Sequence, residues 1–273
     1  MAKYSLLFLG TPQIKLTQKN LILERQKSLA LLAYLAVNDS PASRNQLGVM
    51  LWPEAPTSQA LTSLRAVLVD LRKTLGDQFL MTTHQTIGLT REAYGCDVTH
   101  FRTLLAASHS HCPSVNHPIC SSCVERLDEA VKLVRGDFLS GFHLRDETPF
   151  EEWQNQQNIQ LRREYHLAIE KLAVAYTQQG DYLPAIQSVS QWLSSDPLEE
   201  KAHGYLMQLY ALNGQRGLAL RQYEACKEML ARELDVRPHE ETTTILKTIL
   251  NGQPLSYLSH NKGLTNSVKY SEF

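Results

Sequence analysis

The sequence predicts a mainly α-helical chain in two parts, a small α+β domain at the N terminus and an all-α array of helical repeats behind it. Three observations carry this. Short β-prone runs bracket three segments of helical period within the first ninety residues. Beyond residue 150 no alternating strand pattern occurs, and Leu, Ala, Gln and Glu recur at helical spacing. Within that stretch the sequence repeats itself after 34 residues. The 273 residues are 43% apolar and 20% charged, a globular composition that excludes disordered and fibrous classes. Such a length suits two domains at roughly 100–200 residues each. The expected division is residues 1–95, residues 96–250 and a polar tail, 251–273.

The chain opens with β-prone runs at residues 3–9 and 14–15, separated by Gly10, Thr11 and Pro12, which predicts a small antiparallel sheet. From Gln26 to Val37 the apolar residues Leu29, Leu32, Ala33, Leu35 and Ala36 recur at helical spacing, and Asn38 to Pro41 end that helix. Ser43 is the N-cap expected of a short second helix through Leu47 to Leu51, stopped by Trp52 and Pro53. A third helix over 58–75 follows. Its Leu61, Leu64, Leu68, Leu71 and Leu75, spaced by three and four, form one buried stripe, and Gly76 is its C-terminal stop.

Opposite that stripe lie Gln59, Thr62, Ala66, Val69 and Lys73, while Arg65 and Arg72, seven apart, share one flank. The outer side is small, polar and basic, with Asp70 its single acid. A helix lying in a major groove needs such a side, because small residues permit close approach and Arg or Lys reaches phosphates and guanine edges. Residues 79–83 and 86–90 read as a hairpin around His84 and Gln85, the size of a wing. Sheet, three helices and hairpin together make a winged helix-turn-helix. A solvated amphipathic helix beside an ordinary hairpin is the competing reading of the same residues.

The string Gln26 to Ala36 (QKSLALLAYLA), then Ser43-Arg44 with Leu47, Leu51-Trp52-Pro53, Ala60, Ser63-Leu64-Arg65 and Leu71 to Gly76 (LRKTLG), resembles the OmpR-type winged helix of the SARP class of bacterial transcriptional activators. The resemblance implies that the helix starting near Ser58 is the recognition helix, that the turn around Trp52-Pro53-Glu54 links it to the positioning helix, and that the hairpin is a minor-groove wing. The DNA-contacting residues it suggests are Arg44, Gln59, Thr62, Ser63, Arg65, Arg72, Lys73 and His84. One departure stands out. No Arg or Lys lies between Phe79 and Thr90, which leaves His84 or Gln85 for any contact by the wing.

In the second part, helices are expected over residues 150–179, 182–195, 198–213, 217–234 and 240–250, with breaks at Gly180-Asp181, Asp196-Pro197, Asn213-Gly214 and Val236-Arg237-Pro238. Tyr176 to Gly180 recurs as Tyr210 to Gly214, and Ala185 recurs as Ala219. That is the period of tetratricopeptide hairpins, in which Gly ends one helix and Ala lets the next approach. Pro184 falls in the first turn of its helix, where a missing donor does no harm. Tyr205, Tyr210 and Tyr223 either line a peptide groove or pack between repeats. The region also resembles the bacterial transcriptional activator domain of the same class, on Asp97-Val98 with Phe101, Gly136 to Leu139, Phe150 to Trp153, Gly180-Asp181, Asp196 to Glu199 and Glu233-Leu234 with Pro238.

Residues 1–95 carry ten Lys and Arg against six Asp and Glu, and the remainder 17 against 22, so a formal charge of −1 hides +4 followed by −5. A basic nucleic-acid module joined to an acidic partner module shows that asymmetry. No run approaches the roughly 20 apolar residues of a membrane span, and Ser5 to Gly10 is too short for a signal sequence, which predicts no membrane association and a cytoplasmic protein. The chain has no P-loop, nucleophile elbow, zincin or dinucleotide signature, so an enzyme is not expected.

Four of the five cysteines, Cys96, Cys112, Cys120 and Cys123, fall within 28 residues, and Cys226 stands apart. Cys120 and Cys123 form a C-x₂-C pair at zinc spacing, in a stretch that also holds His109, His111, Cys112 and His117. A structural zinc on Cys112, His117, Cys120 and Cys123 is one reading, with His109 the next histidine in line. A surface loop with incidental thiols is the second, and a redox pair, for which no thioredoxin-like strand precedes the motif, the third.

The resulting expectation is a sequence-specific, DNA-binding transcriptional regulator. By resemblance it is an activator that binds double-stranded DNA as a homodimer and contacts RNA polymerase or other regulatory proteins through its helical repeats. Two alternatives remain open. An interaction adaptor whose winged helix no longer binds DNA fits the uncharged wing, and the N-terminal part of a longer signalling ATPase regulator is permitted by the polar tail from Asn251.

Overall fold

The computed structural model describes residues 4–17, 19–112, 119–145 and 147–255. Packing divides the chain into two compact units, Met1–Ser110 with Glu125–Ala168, and His111–Val124 with Ile169–Phe273.

The first unit opens with β1 (Tyr4–Leu7), β2 (Gln13–Leu16) and β3 (Lys19–Leu21), followed by α1 (Gln26–Asn38), β4 (Ala42–Ser43), α2 (Arg44–Leu51) and α3 (Thr57–Leu75). Then come the hairpin strands β5 (Leu80–Thr82) and β6 (Thr86–Leu89), β7 (Tyr94–Cys96) and α4 (Asp97–His111). Two sheets result, of order β3-β2-β1-β7 and β4-β6-β5. The opening sheet is larger than the sequence indicated: β1 and β2 pair antiparallel, but β7 adds parallel to β1, with Tyr4 beside Tyr94. Strands of two or three residues such as β3, β4 and β7 leave no period to detect.

The three helices form as expected for stated reasons. Ser43 accepts the N–H of Gln46 at 3.1 Å as the N-cap of α2. Gly76 follows α3 at φ +88° and Asp39 closes α1 in the left-handed region. Along α3, Ala60, Leu64, Val67, Leu68, Leu71 and Leu75 are buried, whereas Leu61 is only half-buried, so the apolar stripe is rotated slightly from the predicted one. Asp70 departs more sharply: it is 6% exposed and accepts a hydrogen bond from Ser28 of α1, itself fully buried.

The unit also includes most of α5 (Ser121–Leu133) and the first part of α6 (Thr148–Gln179). The Asp97 side chain, 2% exposed, accepts the N–H groups of Phe8 at 2.8 Å and Leu9 at 2.9 Å, and Arg135 pairs with it at 3.5 Å. Burial pushes the Asp97 pKa up, and the two N–H donors and Arg135 pull it back. Arg135 N–H in turn donates to Leu9 O, and Leu139 N–H to Phe8 O. Trp153 packs at a tilt against Tyr34 of α1 at 5.0 Å and Phe150 at 5.4 Å, and edge-to-face against Phe138 at 5.6 Å. Packing is therefore continuous across position 95/96 in the chain.

The second unit contains the end of α6, then α7 (Tyr182–Ser195), α8 (Glu200–Leu212), α9 (Arg216–Leu234) and α10 (Glu240–Leu250). The 34-residue repeat is geometric as well as sequential. Gly180 and Gly214 sit at φ +80° and +73°, in a left-handed conformation that L side chains resist. Asp181 N–H donates to Tyr176 O at 2.9 Å and Gln215 N–H to Tyr210 O at 2.8 Å, the same helix-closing bond one repeat apart. Ala185 and Ala219 are both fully buried. Tyr205 is buried, with its hydroxyl on Glu170 at 2.5 Å, and Tyr210 and Tyr223 pack on the Met207, Ala219 and Ile249 core, which makes them packing residues. His203 explains the Asp196 to Glu199 motif: its ring meets Pro197 O at 3.1 Å and Gln222 at 2.6 Å, and burial lowers its pKa.

Asp97→Ala would orphan two buried backbone donors, each worth about 1–3 kcal/mol. Urea unfolding is therefore expected to show a loss of roughly 2–5 kcal/mol, with Asp97→Asn losing less. A midpoint for Asp97→Ala indistinguishable from the parent protein would remove this carboxylate from the folding argument.

Candidate nucleic-acid interface and metal centre

The outer side of α3 and the β5-β6 hairpin enclose a cleft of ≈ 360 Å³ lined by Arg44, Leu61, Arg65, Leu68, Val69, Arg72, Thr83 and His84. Four residues suggested from sequence, Arg44, Arg65, Arg72 and His84, thus share one surface. Because Asp70 turns inward, no carboxylate among the described residues lines it. Arg44 starts α2 and donates through Nε at 3.1 Å and Nη2 at 3.0 Å to Thr83 O, which fixes the hairpin tip against the helix. Thr83 Oγ1 accepts the N–H groups of Gln85 and Thr86, closing the turn and leaving His84 exposed at its apex.

Arg72 is held more tightly than the sequence indicated. It donates to Thr82 Oγ1 at 3.0 Å and lies 3.9 Å from Asp77, so part of its charge is committed to the hairpin. Lys73 pairs with Glu24 at 3.1 Å, away from the cleft. Arg65 is exposed and has no hydrogen-bond or ion-pair partner among the described residues. Gln59 and Thr62 are exposed, Thr62 bonding back to Ser58 O, and Ser63 is half-buried. Val69, 62% exposed between the arginines, is an apolar surface residue of the kind that meets a thymine methyl.

A second cluster lies in the other unit. His111 is the last residue of α4, Cys112 follows it, Cys120 immediately precedes α5 and Cys123 lies in its first turn. One ring nitrogen, His111 Nδ1, lies 3.3 Å from Cys120 Sγ, 3.4 Å from Cys123 Sγ and 3.5 Å from Cys112 Sγ. The Cys112 and Cys120 sulfurs are 3.8 Å apart, and all four atoms fall within 4.8 Å of one another. Among the described residues the histidine of the cluster is therefore His111. His117 lies outside the described residues, and His109 is exposed and not part of the group. The sequence put His117 first and His109 next; of the described histidines, the end of α4 brings His111 to the sulfurs.

The Cys120 thiol is drawn down to about 6 by the Ser122 hydroxyl at 3.2 Å and the Cys123 backbone N–H. Burial instead pushes Cys96 and Cys226 up to about 12. Lys171 on α6 is half-buried, which lowers its pKa, and the charges of Cys123 and Cys112 act on it in the opposite sense.

A winged helix-turn-helix followed by stacked helical hairpins is the plan of a SARP-type transcriptional regulator. The chain belongs to the family described as "Bacterial transcriptional activator domain", whose model matches residues 96–250. It is similar to the regulatory protein AfsR of Streptomyces griseus, 24% identical over 230 residues, and to that of Streptomyces coelicolor, 26% identical over 231. Each match covers 82% of this chain and 22% of the relative, so the chain spans about a fifth of their length. The fold is shared with Mycobacterium tuberculosis EmbR, solved in complex with a low affinity phosphopeptide, at a TM-score of 0.70 and 24% identity. That match covers 93% of this chain and 66% of the other. Among the described residues no helix is long and apolar enough to cross a membrane.

In reduced, chelator-treated protein, iodoacetamide at pH 7 is expected to label Cys120 well ahead of Cys96 and Cys226. Its thiolate fraction, and with it the rate, should rise with pH through a midpoint near 6. Comparable rates at all three cysteines would contradict the hydrogen bonding at the start of α5.

Proposed function

We propose that the chain is a sequence-specific DNA-binding transcriptional regulator that places α3 in the major groove of double-stranded DNA. The observation that carries this reading is the acid-free outer side of α3, where Arg65 stands free beside Arg44, Arg72 and the exposed Val69. Arg44 and Arg65 supply phosphate or guanine contacts, and Gln59, Thr62 and Val69 approach base edges. Ser63, half-buried, lies beside them, and Lys73 contacts a phosphate only on leaving Glu24. His84, at the hairpin apex, is the wing's contact.

On this reading residues 1–95 are the DNA-binding domain and residues 96–250 the interaction domain. The helical repeats engage RNA polymerase or other regulatory proteins, two chains bind the DNA as a homodimer, and the outcome is activation. The protein works in the cytoplasm as a regulator rather than an enzyme.

One observation favours a second reading, an adaptor whose winged helix no longer binds DNA. The hairpin tip has no cation of its own, and Arg72 and Lys73 already have protein partners.

Salt-dependent binding to duplex DNA separates the two. Arg65→Ala is expected to weaken binding by about 1–3 kcal/mol if it reads guanine. If it holds a phosphate, the salt slope should flatten by about 0.9 instead. Val69→Glu should abolish binding by placing a carboxylate against the groove. Folded variants that bind random and specific duplex like the parent would favour the adaptor.

A further inference from the structure

We propose that His111, Cys112, Cys120 and Cys123 form a tetrahedral structural zinc site that ties the end of α4 to the start of α5. The argument rests on the distances between the donor atoms. With zinc–sulfur bonds of about 2.3 Å and zinc–nitrogen bonds of about 2.0–2.1 Å, a regular tetrahedron has sulfur–sulfur edges of about 3.8 Å and sulfur–nitrogen edges of about 3.5 Å. The Cys112–Cys120 edge is 3.8 Å, and the three edges to His111 Nδ1 are 3.3, 3.4 and 3.5 Å. Four donors from the ends of two helices thus converge, with four of their six edges at the separations that one zinc imposes and all six within 4.8 Å, in a chain whose cysteines are free thiols. An incidental group of surface thiols has no reason to arrange itself around a single ring nitrogen.

The surroundings match the charge of such a centre. Zinc(II) with three thiolates and a neutral imidazole carries a net −1. Lys171, whose ammonium responds to Cys123 and Cys112, supplies the opposing charge. The first N–H groups of α5, with those of Cys123 and Val124 directed at Cys120 O, place the positive end of a helix dipole beside the sulfurs. Three thiolates and one imidazole are soft to borderline donors that select zinc over magnesium or calcium. Four protein ligands leave no open position, so the role is structural rather than catalytic. Cys123 is fully buried while His111 is exposed, so one side of the centre remains open to a chelator.

The test uses the full chain purified under reducing conditions without chelator. Elemental analysis is expected to give about one zinc per chain. Titrating the chelator-stripped protein with cobalt(II) should produce the intense visible bands of tetrahedral cobalt and the near-ultraviolet charge-transfer band of thiolate ligation, both saturating at one equivalent and bleached by zinc. Cys120→Ser and His111→Ala should each lower zinc affinity by at least tenfold, whereas Cys226→Ser and His109→Ala keep it. The cobalt spectrum needs no variant, so it holds even where a substitution impairs folding. Protein that carries no zinc and gives no tetrahedral cobalt spectrum overturns the site. A Cys112–Cys120 disulfide that persists through purification under reducing conditions overturns it too. Loss of metal in His117→Ala with retention in His111→Ala overturns the ligand set.

Discussion

A buried carboxylate is costly unless every one of its oxygens is met, and Asp97 shows how much structure that requirement can fix. Strand β1 stops pairing at Leu7, yet the chain runs on through Phe8 and Leu9 into the core, where their N–H groups have no strand beside them. Asp97, at the start of α4, accepts both. Arg135 then pairs with the carboxylate and returns its own backbone N–H to Leu9 O, so the segment that follows is drawn onto the sheet. Phe138 is thereby set against Trp153, and Trp153 against Tyr34 of α1. Part of the resemblance to the activator domain was carried by Asp97, by Gly136 to Leu139 and by Phe150 to Trp153; each of these three groups contributes to this one junction.

The same logic shapes the proposed DNA face. Asp70 sits on α3 where a helical wheel puts it outside, but Ser28 of α1 offers a hydroxyl and the side chain turns in. A carboxylate on that side would repel phosphate; hydrogen-bonded inside, it leaves α3 with no acid of its own on the cleft. The hairpin is positioned by a comparable device, since Arg44 holds Thr83 O with two N–H groups and Arg72 holds Thr82. Two of the three arginines of the cleft therefore build the surface they also charge.

These cases mark where the sequence was legible and where it was not. Helices α1, α2 and α3 and the five helices from α6 onward could be placed from period, capping and Gly or Pro breaks, because those signals are local. The 34-residue shift located Gly180, Gly214, Ala185 and Ala219 correctly, because a repeat encodes its own comparison. What escaped was set by partners far along the chain. Asp70 depends on a residue 42 positions away. Strand β7 exists because β1 lies beside it, and Arg72 is restrained by a hairpin ten residues downstream. That His111 rather than His109 meets the sulfurs is a matter of where α4 ends, which spacing does not reveal.

The number of cations left free bears on how such a protein could hold its site. Among the described residues of the cleft only Arg65 has an uncommitted guanidinium, and Arg44 and Arg72 offer what remains of theirs after Thr83 and Thr82. Each phosphate contact adds about 0.9 to the salt slope, so one chain with one to three contacts has a slope of about −1 to −3. Electrostatics of that size gives only weak, non-specific attachment at physiological salt. On the proposed reading, tight binding must therefore come from base-edge contacts by Gln59, Thr62 and Val69 and from two chains acting together. Pairing doubles the phosphate contacts without adding a cation to either chain, which is why a sparsely charged winged helix argues for a dimer on DNA more strongly than a heavily basic one would.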